Sequence, residues 1–95
     1  MSQSERDIQR QTVAALRKLG YTVLVTSTNR AARNTRGTPD VLASIGRGLW
    51  LGLETKREGG VLSMEQVKMQ AAGQILVYTS PEDAIGLVQK ARKTR

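Results

Sequence analysis

The chain has no histidine and no cysteine. Lack of cysteine removes disulfides and thiolate zinc sites, and lack of histidine removes imidazole as general base, nucleophile partner or metal ligand. Zinc hydrolases and Ser–His or Cys–His nucleophilic systems are therefore excluded. Carboxylates, lysine, tyrosine and oxygen-bound metals such as Mg²⁺ or Mn²⁺ remain for hydrolytic chemistry. Aromatic residues amount to only 3% of the chain, with no phenylalanine. No apolar run approaches the roughly 20 residues that span a bilayer, and no segment carries the Trp/Phe-rich face of an interfacial anchor. The first residues are polar and charged, unlike a secretory signal, so an intracellular, cytoplasmic protein is expected.

What is present is positive charge. Lysine and arginine number 15 against 8 acidic residues, a formal charge of +7. Such a field calls for a polyanionic partner, and with membranes disfavoured the expected partner is nucleic acid. With 95 residues, 39% of them hydrophobic, the chain suits one compact domain over residues 1–95.

Residues 4–19 place Ile8, Thr12, Ala15, Leu16 and Leu19 at helical spacing, with Ser2 and Glu5 set as a capping box and Gly20 as the stop. Residues 21–26 read as a strand. Residues 27–39 read as a long polar loop punctuated by Arg30, Arg33 and Arg36. Two apolar runs, 40–45 and 49–56, flank Gly46-Arg47-Gly48 and predict a hairpin. After a loop over 57–62, Ser63 and Gln66 form a second capping box for a helix ending at Gly73. Residues 74–79 are a short strand. Ser80-Pro81-Glu82-Asp83 opens a last helix that runs into a basic end. The expectation is an α/β domain in the order α-β-β-β-α-β-α, with a mixed sheet and a central hairpin flanked by helices.

The hairpin register carries the chemistry. If residues 46–48 form a three-residue loop, Ile45 faces Leu49 and Asp40 faces Glu54. Two carboxylates then lie about 5 Å apart at Cβ on one face, with Lys56 two positions beyond Glu54 on that face. The opposite face takes Val41, Ala43 and Ile45 against Leu49, Leu51, Leu53 and Thr55, apolar almost throughout as a core face should be. A two-residue loop would slide the pairing by one and mix charged with buried positions. Facing carboxylates repel unless a cation lies between them, and Mg²⁺ suits one or two carboxylates, waters and phosphate oxygens. Such a cation activates water and polarises a phosphodiester, while the Lys56 ammonium steadies developing charge or orients the water.

Gly37-Thr38-Pro39-Asp40, then Glu54-Thr55-Lys56 after a short hairpin, then Leu62-Ser63 with Gln66 on the next helix, resembles the PD-(D/E)xK nuclease superfamily, and most of all its virus-type replication-repair nuclease (VRR-NUC) domains. The likeness covers nearly the whole chain, including the N-terminal helix with Glu5 near its start. It implies a restriction-endonuclease-like core. It further implies that Asp40, Glu54 and the Thr55 carbonyl hold Mg²⁺ or Mn²⁺, that Lys56 is the catalytic lysine, that Glu5 contacts water on the metal, and that Gln66 supports the site or the DNA. Stand-alone members, of bacterial or phage type, are homodimeric endonucleases selective for four-way (Holliday) junctions, and other members cut flapped DNA.

Each signal also has a plainer explanation. Glu5 suits a helix dipole, and Gln66 a capping box. Arg30, Arg33 and Arg36, with Lys56 and Arg57, are expected to meet DNA phosphates, not base edges. Trp50 shares the Glu54 face by alternation and is expected under a helix or in a subunit contact. Two rival functions are a non-catalytic DNA-binding module and a sequence-specific restriction-type enzyme, the latter disfavoured because so short a chain leaves no spare element to read base edges.

Overall fold

A computed structural model of the chain describes residues 3–26 and 38–93. The loop read over 27–39, with Arg30, Arg33 and Arg36, therefore falls almost wholly outside the described residues.

Helix α1 (Glu5–Lys18) is capped by Ser4 and not by Ser2: the Ser4 hydroxyl accepts from the Asp7 N–H at 3.1 Å. Acids lie in its first turn and Arg17 and Lys18 in its last, both favourable to the helix dipole. Its buried stripe is Ile8, Thr12, Val13 and Leu16. Strand β1 (Val23–Val25) follows.

Strands β2 (Val41–Gly46) and β3 (Leu49–Thr55) form the central hairpin, with a turn unlike the expected one. Gly46 pairs with Leu49, leaving Arg47 and Gly48 as a two-residue turn with φ of 58° and 74°. Two positive φ values match the backbone twist of a tight hairpin, and glycine takes the second without strain. Ile45 does not face Leu49. It sits where the register shifts between Ser44 and Gly46, and this bulge absorbs the residue that the shorter turn gives up. Beyond it the pairs are Ser44↔Trp50, Ala43↔Leu51 and Val41↔Leu53, the register expected from the alternation.

Helix α2 (Met64–Ala71) carries the full capping box: Gln66 N–H donates to the Ser63 hydroxyl and Ser63 N–H to the Gln66 side chain. None of its residues is buried. Strand β4 (Leu76–Tyr78) runs parallel to β3, and α3 (Pro81–Lys93) starts at Ser80, whose hydroxyl accepts from the Asp83 N–H.

Among the described residues the result is an α/β domain whose four-stranded mixed sheet has the order β1-β2-β3-β4. Helices α1 and α3 pack on each other and on one sheet face. Between them lies the core of Ile8, Leu16, Val23, Val41, Leu53, Tyr78 and Val88 with their neighbours. On the other face Leu24 and Trp50 stay exposed, so Trp50 does not lie under a helix in the described chain. No described helix is long and apolar enough to cross a membrane.

Candidate functional site

One step beyond the Val41↔Leu53 pair, the same register sets Asp40 against Glu54 at the end of the hairpin. Asp40 is held at both its side chain and its backbone. Its carboxylate accepts the Thr55 backbone N–H at 3.0 Å, and its own carbonyl accepts the Thr26 N–H at 2.9 Å. The Thr26 hydroxyl donates to the Pro39 carbonyl, tying the preceding residue to the end of β1. Pro39 in turn rests on Gly52, where a Cβ would come within 3.1 Å of the proline ring and 3.3 Å of the Gln74 carbonyl. Glycine lets the two segments approach this closely, and a Cβ would make the neighbours give by a few tenths of an ångström.

Glu54 is only 5% exposed, yet it is a charged side chain by type. Burial comes first in pushing its carboxyl from the ordinary 4.5 up to about 7, followed by the Asp40 charge and a hydrogen bond with the Asp40 carboxyl; Lys56 pulls the other way and Glu5 adds a small upward push. One of its oxygens, Oε1, is buried without a hydrogen-bond partner. Buried polar atoms are nearly always satisfied, so this oxygen is open to a proton, a water or a cation.

Below the carboxylates lies a layer of hydroxyls. Thr55 turns to the core face, where its Oγ1 meets the Tyr78 phenol oxygen at 2.5 Å, both residues being fully buried. Burial, more than the Asp40 charge, pushes the Tyr78 phenol up to about 12, so it stays protonated as a hydrogen-bonding group. Thr12 of α1 adds its hydroxyl beside the same phenol. The Tyr78 carbonyl accepts the Lys56 N–H at 3.0 Å, extending the parallel ladder one residue past β3. Thr55 and Lys56, the two positions that flank the site on its strand, are thus anchored on β4.

The other expected residues are placed differently. Glu5 accepts a long hydrogen bond, 3.4 Å, from the Arg57 N–H and reaches Glu54 through charge. Among the described residues no three carboxylates gather as one metal-holding group, so the pair is Asp40 and Glu54, with Glu5 apart. Lys56 is half-buried and Arg57 exposed. The Gln66 side-chain oxygen is engaged at the start of α2, which gives it the capping role. Thr12, Thr26, Gly52 and Tyr78 were not anticipated as parts of the site. Of these, Gly52 had a signal: a glycine inside an apolar strand marks a close backbone approach.

The donors present suit a hard divalent cation. Two carboxylates and a backbone carbonyl are oxygen ligands, and the unpartnered Glu54 Oε1 has room in its bonding for one. Comparison of the chain with protein-family profiles, curated proteins and solved structures gives no match in any of the three.

Proposed function

We propose that the chain is a Mg²⁺- or Mn²⁺-dependent endodeoxyribonuclease of the PD-(D/E)xK type, similar to VRR-NUC domains. The observation that carries this reading is Glu54, buried against Asp40 with an orphaned oxygen and with the Lys56 charge acting on it from just past the end of β3. Two carboxylates held together with an open oxygen are what a cation between them would complete.

Asp40, Glu54 and the Thr55 carbonyl would hold the cation, which when bound polarises the scissile phosphate and makes water a better nucleophile. Asp40 keeps its orientation through the Thr55 N–H. Lys56 offers the ammonium that offsets charge building on the phosphate oxygens. In the net reaction a water oxygen bonds to phosphorus, one P–O ester bond breaks, and the departing alcohol oxygen takes a proton. The +7 chain supplies the attraction for DNA. A homodimer acting on branched DNA, four-way junctions first, completes the proposal. Two sites are needed to cut a two-fold junction symmetrically, and so small a domain gains stability from a copy of itself.

The test is a cleavage panel of four-way junction, flap and linear duplex with Mg²⁺, Mn²⁺ or EDTA. Metal-dependent cutting is expected, with Asp40→Ala inactive and Lys56→Ala slower by roughly 10²-fold or more, the usual cost of losing an electrostatic stabiliser. Both variants should still bind DNA in EDTA. Binding without cutting in every metal would instead favour the non-catalytic module.

A further inference from the structure

Helix α1 has four basic residues, and three of them, Arg6, Arg10 and Arg17, line one groove of about 430 Å³. Gln9, Val13 and Ala14 from the same helix and Val25 of β1 complete its lining. Positions 6, 10, 13 and 17 fall on one helical stripe. The arginines therefore reach along roughly 16 Å of the helix axis, at about 1.5 Å per residue. A solvated helix face would scatter such charges, whereas here they converge on a concave surface.

The groove is also partly organised in advance. The Thr22 carbonyl accepts from the Ser44 N–H and the Thr26 N–H donates to Asp40, so these residues turn their backbone groups towards β2 and Val23 turns its own outward. One Arg17 nitrogen donates to that Val23 carbonyl at 2.8 Å, which holds the guanidinium against the sheet edge with other donors to spare. Arg10 is held by the exposed Asp7 carboxylate at 3.0 Å, a pair weak enough for a phosphate to replace. The same helix begins at Glu5, which takes the Arg57 N–H and acts on Glu54, so the groove and the candidate site share one rigid element.

We infer that the α1–β1 groove is a binding track for the sugar-phosphate backbone of DNA, with Arg6, Arg10 and Arg17 contacting successive phosphates away from the scissile one. Guanidinium groups match phosphate oxygens in paired hydrogen bonds, and most protein–DNA hydrogen bonds go to the backbone. The inference rests on DNA being the substrate, as proposed above, but not on cleavage.

Equilibrium binding of a labelled four-way junction and a linear duplex in EDTA, measured across a KCl series, tests it. Arg6→Gln with Arg10→Gln should weaken binding at least tenfold near physiological salt and lower the slope of log K against log[salt] by roughly 2, about 0.9 for each phosphate that is no longer neutralised. Asp7→Asn, which frees Arg10, should tighten binding. Lys68→Gln on α2 removes one charge elsewhere and should leave the slope near the wild-type value. The inference is overturned by an unchanged slope in the double variant, by an equal weakening in Lys68→Gln, or by a wild-type protein that binds no DNA. Cutting is absent from the assay, so a failure of the nuclease reading shows only in the Mg²⁺ and Mn²⁺ panel and leaves this result standing.

Discussion

Glu54 binds its proton more tightly in the folded chain than in the unfolded one, and the sign of the resulting pH effect follows from that. Its carboxyl titrates near 7 folded against about 4.5 unfolded. Between those values the native state holds more protons, so the stability from this group is full below pH 4.5 and is lost as pH rises through 7. In EDTA, melting temperatures of wild type minus those of Glu54→Gln should fall across that window and level off above it. A difference that rises with pH would contradict the assigned burial. Adding Mg²⁺ or Mn²⁺ should reverse the trend, since a cation needs the ionised carboxylate and displaces its proton. The apparent pKa for metal binding should therefore drop as the metal concentration rises. Tyr78 makes a second prediction at this scale. Tyr78→Phe removes the hydroxyl that meets Thr55 and leaves the buried Thr55 hydroxyl without it. A destabilisation of about 1–2 kcal/mol in urea unfolding is expected. Cleavage should then need more metal, because Thr55 carries both the N–H that orients Asp40 and a candidate ligand carbonyl. Asp40, Glu54 and Lys56 were legible in the sequence because strand alternation and cross-strand pairing are local rules. Tyr78 and Thr12 were not, because they become neighbours only when α1 packs over the sheet.

At the scale of elements, the hairpin illustrates how a correct register can come from an incorrect turn. The alternation of Val41, Ala43, Leu51 and Leu53 fixes which face is buried, and burial tolerates no slip of one residue. That constraint acts on the strands, not on the loop. The chain meets it with a two-residue turn plus a bulge at Ile45, where the sequence suggested three loop residues and no bulge. Helix starts were legible wherever a side chain closes its own helix, as Ser63 with Gln66 and Ser80 with Asp83 do. At α1 the Ser2–Glu5 spacing suggested a start that the chain does not use; Ser4 is the cap, accepting from Asp7. The contact of Pro39 on β3 gives a prediction for a pair of elements. In Gly52→Ala the new methyl must displace the proline ring or the Gln74 carbonyl, and Pro39 is bonded directly to the Asp40 backbone. Overpacking of this kind costs about 1–3 kcal/mol. Activity should fall further than stability, through a raised metal requirement, because the shift is delivered to one carboxylate. A variant that melts early but keeps the wild-type metal dependence would place the strain elsewhere.

For the whole molecule, the two sheet faces are unequal. Helices α1 and α3 cover one, while on the other Leu24 is 48% and Trp50 43% exposed among the described residues. These two lie on the same side, since Leu24 pairs with Leu42 and Trp50 with Ser44, which alternate together along β2. Large apolar side chains on a chain of net charge +7 are a poor match to the rest of its surface, and such patches mark interaction sites. DNA at Asp40 and Glu54 would meet this face only at the open end of the hairpin, away from Trp50 at its turn end, so the apolar pair is left for another partner. A second copy fits this apolar pair: like faces meet across a two-fold axis centred towards the turn end of the hairpin, where Trp50 lies, and Asp40 and Glu54, on the same face but at its open end, stay outside the contact. Sedimentation at micromolar concentration should give a dimer, and Trp50→Lys or Leu24→Lys should give a folded monomer with an unchanged far-UV spectrum. If junction cutting is symmetric because two sites act together, the monomeric variants should still nick the junction but cease to release paired products. Paired products from a monomer, or a wild type that sediments as a monomer at all concentrations, would remove the dimer from the proposal and leave the chemistry at Asp40, Glu54 and Lys56 to stand by itself.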